Sequence, residues 1–314
     1  MSKVRAVFLG TPEFAVVSLK KLVADAHFEI VGVVTQPDRP AGRKLQLTPS
    51  PVKVLALSHG LRVISPEKIN EQFILQEIQK WGAEVAIVVA FGQILSQKFL
   101  DLFPFGAVNV HGSLLPKWRG AAPIQRALEA GDSETGVALQ KIVRELDAGD
   151  VFGDRRLKIP LEMTALELHD ELAKLGADLL QVELMDYVRG NLMPTPQDHS
   201  QVTYAKKIDK AECEISWAQP ALEIHNKARG LLMGPGTYTL LLGKKLKLHR
   251  TLPVDLSKKG DPGKIVRANE NEVWVQTGEG VLALLEVQPE SRAKMKIADF
   301  QKGYSLKEGD KLGS

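Results

Sequence analysis

Gly106-Ala107-Val108-Asn109-Val110-His111-Gly112-Ser113-Leu114-Leu115-Pro116 is the stretch whose reading decides the fold. Its apolar first half, Gly106 to Val110, has the length and content of a buried strand that ends at His111. Alternate residues of a strand point to one face, so Asn109 and His111 project together from the strand's C-terminal end. That end is where open α/β sheets bind their ligands. Gly112 then breaks the strand, and Pro116 and Pro123 stiffen the Lys117-Trp118-Arg119-Gly120-Ala121-Ala122-Pro123 segment that follows. A neutral amide donor beside an imidazole can act on a carbonyl and on a proton at once. Taken alone, the pair fits a satisfied strand-end histidine and a turn asparagine at least as well.

Outward from this stretch, Val4 to Leu9 predicts a first buried strand. Glu13 to Ala24 predicts a helix with Thr11 as its N-cap and Pro12 in its first turn, and Glu29 to Thr35 a second strand. Strand, helix, strand in that order argues for a parallel, Rossmann-like sheet. Gly10 lacks the Gly-x-Gly-x-x-Gly spacing, which leaves a nicotinamide or flavin cofactor unsupported. Ser50-Pro51 caps a helix through Ser58, and Ser65-Pro66 opens a helical stretch to Lys80. Val85 to Ala90 is a central buried strand. A helix over Ala121 to Ala130, strands over Thr135 to Val143 and Val151 to Ile159, and a long amphipathic helix over Thr164 to Arg189 complete the first domain, residues 1–189.

Between Gln36 and Ser50, three prolines and a glycine argue against regular structure. Connections beyond about 12 residues are usually functional or disordered. Arg39, Arg43 and Lys44 outnumber Asp38 here, so a solvated loop and a phosphate-binding arm are equal readings. Residues 190–207, with Pro194 and Pro196, are the expected linker. In residues 208–314 one helix, Pro220 to Arg229, stands among short strands and tight turns at Gly243 and Gly278-Glu279-Gly280. That spacing suggests a β-barrel of the oligonucleotide-binding type. The expected fold class is α/β: a Rossmann-like parallel-sheet N-terminal domain plus a smaller C-terminal OB-like β-barrel. Lys244, Lys245 and Lys247 lie on the barrel's strands, as protection of an edge or as a surface for a polyanion.

The chain has 314 residues, 44% hydrophobic and 25% charged, ordinary values for a globular protein with two domains. Its net charge of +3 is concentrated in the C-terminal third. The single cysteine, Cys213, has no partner for an internal disulfide, which suits the cytoplasm. No apolar run is long enough to span a membrane, and Gly10-Thr11-Pro12-Glu13 ends the first one too early for a signal segment. The seven histidines are scattered without zinc spacing, so no metal is expected. Walker and Gly-x-Ser-x-Gly motifs are absent. Amide, imidazole and carboxylate chemistry at a sheet edge remains. Asp147 and Asp150, in Leu146-Asp147-Ala148-Gly149-Asp150, are ordinary turn residues unless one reaches His111.

Almost end to end, the chain resembles the methionyl-tRNA formyltransferase family. The resemblance is carried by Gly-Thr-Pro-Glu-Phe-Ala (10–15), Gln-Pro-Asp-Arg-Pro-Ala-Gly-Arg (36–43), Pro-Ser-Pro-Val-Lys-Val-Leu-Ala (49–56) and, above all, Asn109 to Gln125. Glu-Thr-Gly-Val (134–137), Leu-Asp-Ala-Gly-Asp (146–150) and Val-Thr-Tyr-Ala-Lys-Lys-Ile (202–208) complete it. It implies a catalytic trio of Asn109, His111 and Asp147, and a folate-contacting turn of Ser113, Leu114, Leu115 and Pro116. Arg39, Arg43 and Lys44 of the basic loop, with Lys244, Lys245 and Lys247 of the barrel, are implied as tRNA contacts, and Phe14 as a wall of the methionine pocket. The implied co-substrate is 10-formyltetrahydrofolate and the implied partner initiator methionyl-tRNA, with a cytoplasmic monomer, no membrane and no metal. Leu232-Met233-Gly234-Pro235-Gly236 departs from the family's Asn-Pro-Trp-Pro turn and lacks its aromatic. The alternatives are a related 10-formyltetrahydrofolate enzyme acting on an amino sugar nucleotide, a formyl-folate hydrolase, or a non-catalytic RNA-binding protein.

Overall fold

A computed structural model describes residues 3–41 and 46–313. Arg43 and Lys44 lie outside the described residues. The chain divides into two compact units. The first holds residues 1–120, 134–157 and 169–204; the second holds 121–133, 158–168 and 205–314.

The first unit is built on a seven-stranded sheet. From edge to edge its strands are Val151–Lys158, Glu134–Lys141, Ala107–His111, Val85–Val89, Val4–Gly10, Phe28–Val34 and Val63–Ile64. The last five are parallel, and Glu134–Lys141 runs antiparallel to Ala107–His111. Near-continuous apolar strands such as Val85-Ala86-Ile87-Val88-Val89 suit a parallel sheet covered on both faces. One face packs Val7, Leu9, Val34, Ala86 and Val88 against Leu75, Ile78, Trp81 and Phe99.

The chain leaves Val4–Gly10 toward Phe28–Val34 and Val63–Ile64, then returns to Val85–Val89 on the other side. Strand order reverses there, which opens a crevice at the strands' C-terminal ends. Gly10 belongs at this edge because a Cβ on it would lie 2.7 Å from the Ala15 Cβ and 3.0 Å from the Val89 carbonyl oxygen. The helix that follows, Glu13–Ala24, has the expected bounds. Its N-cap is Pro12 rather than Thr11, whose hydroxyl instead donates to the Phe91 carbonyl at 3.0 Å.

Two local expectations change. The helix expected from Ser65 is confined to Gln72–Lys80. The Gln93 side chain accepts from Ile69 N at 2.9 Å and donates to Pro66 O at 2.9 Å, so a tertiary partner takes those backbone groups. The 36–50 connection is not wholly irregular, because Arg39–Ala41 pairs antiparallel with Gln46–Thr48. Pro40 is compatible with this pairing because the two-stranded ladder is all edge.

In the second unit, the antiparallel sheet order is Thr237–Leu241, Lys244–Asp255, Val281–Pro289, Val273–Gln276 and Ile265–Ala268, with Met295–Lys296 added beside Val281–Pro289. The C-terminal segment links the sheet's two outer strands. Ile265 N donates to Asp310 O at 2.8 Å, and Gly313 N donates to Leu240 O at 2.8 Å. This is consistent with a barrel. The helix Ala221–Gly230 buries Ile224 and Ala228 in its core beside Trp217, Leu246, Leu248 and Phe300. A second helix, Ile297–Tyr304, corrects the expectation of a single helix among short strands. Its buried Ile297 and Phe300 stand at helical spacing, a signal that was present in the sequence.

Two predictions test these elements. Ser50 accepts from Lys53 N at 3.0 Å as the N-cap of Pro51–Ser58, and its hydroxyl meets Thr35 Oγ1 at 2.6 Å. Replacing Ser50 with Ala is expected to cost about 1–2 kcal/mol, measured as a shift in the urea midpoint. In the second unit, Arg126 bonds both carboxylate oxygens of Glu212, at 2.7 and 3.0 Å. This contact and the backbone N–H of Asp209 bring the Glu212 carboxyl down to about 2. A depressed carboxyl stabilises the fold above its unfolded value of about 4.5 and loses that contribution as pH falls toward 2. Glu212→Gln should therefore flatten the acid side of the stability profile between pH 4.5 and 2 and lower stability at pH 7. An unchanged acid limb in thermal melts would contradict this.

Candidate active site

Ala107–His111 lies between Val85–Val89 and Glu134–Lys141, and the register sets Asn109 against Val88 on one side and Gln140 on the other. Asn109 is half-buried, and its side chain has no hydrogen bond to another described residue. Two residues on, His111 is 6% exposed. Its Nε2 lies 2.9 Å from the Trp118 carbonyl oxygen. A carbonyl only accepts, so Nε2 carries the proton, and in the neutral ring Nδ1 is the basic nitrogen.

Asp147 comes to this nitrogen from the loop after Glu134–Lys141. Its Oδ2 lies 3.7 Å from His111 Nδ1, an ion-pair distance but longer than a hydrogen bond. The tautomer is therefore held by the Trp118 carbonyl, while Asp147 faces the basic nitrogen across a short gap. The carboxylate is fixed independently of the histidine. Oδ2 accepts from Gly120 N at 2.8 Å, and Oδ1 accepts from Gln140 Nε2 at 2.8 Å. Gln140 is 1% exposed, and its own Oε1 is buried without a partner among the described residues. An orphaned buried acceptor of this kind costs roughly 1–3 kcal/mol and calls for an explanation.

Backbone strain gathers here. Ala90, Trp118 and Asp147 are non-glycine residues with φ of 48°, 64° and 48°. Gly149 is required by crowding, since a Cβ there would lie 1.6 Å from the Lys141 carbonyl oxygen. Below the strand end, Ser113 is fully buried, and its hydroxyl donates to the Lys117 carbonyl inside the turn. Leu114, Leu115 and Pro116 are half-exposed, so these three give the turn its accessible apolar surface. Phe14, on Glu13–Ala24, is buried with its ring edge-on to His169 at 5.3 Å.

The expected basic residues are spread over both units. Arg39 makes a two-pronged pair with Glu67, at 3.2 and 2.7 Å. In the second unit Lys244 and Lys245 are exposed at the Thr237–Leu241/Lys244–Asp255 hairpin, with Lys245 Nζ 4.2 Å above the Tyr238 ring. Lys247 donates to the Pro235 carbonyl at 3.1 Å, so it anchors the turn that departs from the family pattern. Gln140, Gln197 and Arg119 were not among the residues expected at the site. Gln140 could have been found as the cross-strand neighbour of Asn109. Nothing local singles out Gln197 in its proline-rich stretch.

Among the described residues no group of three or more His, Cys, Asp or Glu side chains could hold a metal ion. No helix among them is long and apolar enough to cross a membrane.

Residues 4–183 match the formyl transferase family, and residues 207–305 match the formyl transferase C-terminal domain. The methionyl-tRNA formyltransferase of Bdellovibrio bacteriovorus is 67% identical over 317 residues, covering all of both chains. That of Symbiobacterium thermophilum is 44% identical over 98% of this chain and 95% of its own. Among solved structures, HypX from Aquifex aeolicus in complex with tetrahydrofolic acid superposes with a TM-score of 0.66 at 17% identity. It is matched over 100% of this chain, which spans 51% of HypX. The N-formyltransferase from Helicobacter canadensis, in complex with folinic acid and dTDP-3-aminofucose, gives 0.66 at 17% identity over 92% of this chain and all of its own. At such identities these two structures speak for the fold alone. Full-length identity to the first relative and the matched domains in both halves are the stronger finding, and on them the chain belongs to the methionyl-tRNA formyltransferase family.

Proposed function

We propose that this enzyme transfers the formyl group of 10-formyltetrahydrofolate to the α-amino group of methionine on initiator methionyl-tRNA, supporting translation initiation. The observation that carries the reading is the full-length identity of 67% to a methionyl-tRNA formyltransferase. The meeting of Asn109, His111 and Asp147 at one strand end supports it. A sugar 3N-formyl transferase shares the fold at only 17% identity, so nothing specific favours that alternative. A non-catalytic RNA-binding protein would have no use for the fixed carboxylate beside His111.

The co-substrate supplies an activated formyl group, and the residues of this chain act on the amine and on the oxygen. As the α-amine nitrogen bonds to the formyl carbon, the carbonyl electron pair moves onto oxygen. The Asn109 amide, half-exposed and unengaged, offers an N–H to that oxygen. Donors in comparable oxyanion sites contribute about 2.7–4 kcal/mol. An amide carries no charge, so it favours the developing oxyanion over the ground-state carbonyl. His111 Nδ1 takes the proton that the amine must lose, and Nε2 stays on the Trp118 carbonyl. Asp147, 3.7 Å from Nδ1, stabilises the imidazolium so formed. The same proton then goes to the folate nitrogen as its bond to carbon breaks, which closes the balance without a metal. General acid–base help of this kind contributes on the order of 10²–10⁴-fold. Leu114, Leu115 and Pro116 provide the apolar surface for the folate, with Ser113 shaping their turn, and Phe14 contributes to the wall around the methionine.

Arg39, Arg43 and Lys44 of the 36–50 connection, and Lys244, Lys245 and Lys247 of the second unit, are proposed as tRNA contacts. The Arg39–Glu67 pair is exposed on both sides, and such pairs are worth about 0–1 kcal/mol, so a phosphate can displace Glu67.

Asn109→Ala and His111→Ala are expected to lower the transfer of labelled formyl to methionyl-tRNA by at least about 10²-fold while leaving the melting temperature near that of the parent. Uncharged tRNA serves as the control acceptor, and near-normal turnover of either variant rules out the assigned roles. Neutralising Arg43 should weaken tRNA binding and reduce the slope of log K against log salt by about 1. An unchanged slope would exclude a phosphate contact at that residue.

A further inference from the structure

Asp147 is held at three points, and two of them trace back to a buried cation. Arg119 is 1% exposed, among the largest fully buried side chains of the protein. Its Nε and Nη2 donate to Gln197 Oε1 at 3.1 and 2.8 Å, and its Nη1 lies 3.7 Å from the exposed carboxylate of Glu145. Gln197 is 7% exposed. Its Nε2 donates to the Asp147 carbonyl at 2.9 Å and to the Gly149 carbonyl at 2.6 Å. Gly120, the residue after Arg119, donates its backbone N–H to Asp147 Oδ2.

We propose that Gln197, oriented by the buried Arg119 guanidinium, is a positioning residue that sets the Asp147 carboxylate against His111. The proposal rests on the catalytic reading of Asn109, His111 and Asp147 given above.

A glutamine amide is a donor at one end and an acceptor at the other, and the two ends are nearly the same shape. A guanidinium has five donors and no acceptor, so Arg119 selects the oxygen end of Gln197. Both N–H groups of the amide are then turned toward the Asp147 and Gly149 carbonyls. Reversing the amide would put its oxygen against two carbonyl oxygens, and its N–H groups against a cation. Asp147 has φ of 48°, a left-handed conformation that is costly for a non-glycine residue and persists only where its surroundings impose it. The bond from Gln197 to the Asp147 carbonyl imposes it from the backbone side. The Gly120 N–H and Gln140 Nε2 fix the carboxylate from the other. Arg119, Gly120, Gln140, Asp147 and Gln197 all belong to the first unit.

The test is a double-mutant cycle on formyl transfer with Gln197→Glu, Asp147→Ala and the pair combined. Gln197→Glu keeps an oxygen facing Arg119, so the buried cation stays matched, and it replaces both N–H donors by an oxygen set against the Asp147 and Gly149 carbonyls, so the loop loses its anchor. The expected result is a fall in kcat on the order of 10–100-fold with KM for both substrates unchanged, whatever the shift in thermal midpoint, with kinetics read well below that midpoint. In the Asp147→Ala background the same change should cost nothing further, because Gln197 acts through that carboxylate. Normal kcat in Gln197→Glu, a loss confined to KM, or an equal loss in both backgrounds each overturns the proposal. Should Gln197→Glu fail to fold, Arg119→Lys takes its place in the cycle. It keeps the charge and loses the planar two-nitrogen grip on Gln197 Oε1, and the same outcomes decide. The underlying catalytic reading fails separately. Full turnover of Asp147→Ala removes that reading and the proposal with it, whereas a crippled Asp147→Ala beside an active Gln197→Glu overturns the positioning role alone.

Discussion

The hydrogen bond between His111 Nε2 and the Trp118 carbonyl is the contact on which the rest of the site depends. It leaves Nδ1 as the basic nitrogen of a buried ring, and it points that nitrogen at Asp147. The carbonyl is available because the chain turns sharply after the strand, with Trp118 itself in a left-handed conformation. Thr203 supports this turn by accepting from Trp118 N through its hydroxyl at 2.9 Å and from Arg119 N through its carbonyl at 2.9 Å. The ring nitrogen left free to accept a proton is thus decided by backbone geometry, and the carboxylate stands beyond hydrogen-bond distance of it.

The sheet supplies the other half of the arrangement. Order reversal beside Val4–Gly10 leaves an open edge at the strands' C-terminal ends, and Asn109 and His111 stand at that edge one strand further on. Strained residues mark the same edge: Ala90 after Val85–Val89, Trp118 after the His111 turn, and Asp147 in its loop. Each costs stability that the packed sheet below can carry, with Val85, Ile87 and Val108 fully buried. Rigid strands then hold the amide and the imidazole, while loops bring in the groups that tune them.

Much of this was legible in local pattern. Bounds of Glu13–Ala24, Pro51–Ser58 and Ala107–His111 follow from apolar periodicity, a serine cap and a glycine stop, all of which act within a few residues. Thr11 and the Ser65 region depart from the local capping pattern for one shared reason. Their polar groups are claimed by Phe91 and Gln93, residues distant in sequence, so local capping rules did not apply. Pro40 argued against regular structure between Gln36 and Ser50, yet an edge ladder of three pairs tolerates it. Ile297–Tyr304 was overlooked although Ile297 and Phe300 carry a helical spacing.

By itself the sequence determined a parallel sheet, a change to short strands after residue 207, and an amide–imidazole pair sharing one face of a strand end. Periodicities of 2 and 3.6 residues and the preferences of Gly, Pro and Ser are local physics, and local physics suffices for these. Only the tertiary structure decided which nitrogen of His111 is basic, that Asp147 stands 3.7 Å from it, that Gln140 bonds the Asp147 carboxylate, and that Gln197, bonded by Arg119, bonds the Asp147 backbone carbonyl. Those contacts join residues up to 78 positions apart. Donor–acceptor matching across such separations depends on the packed fold, and a buried arginine facing a glutamine leaves no periodic trace in the chain.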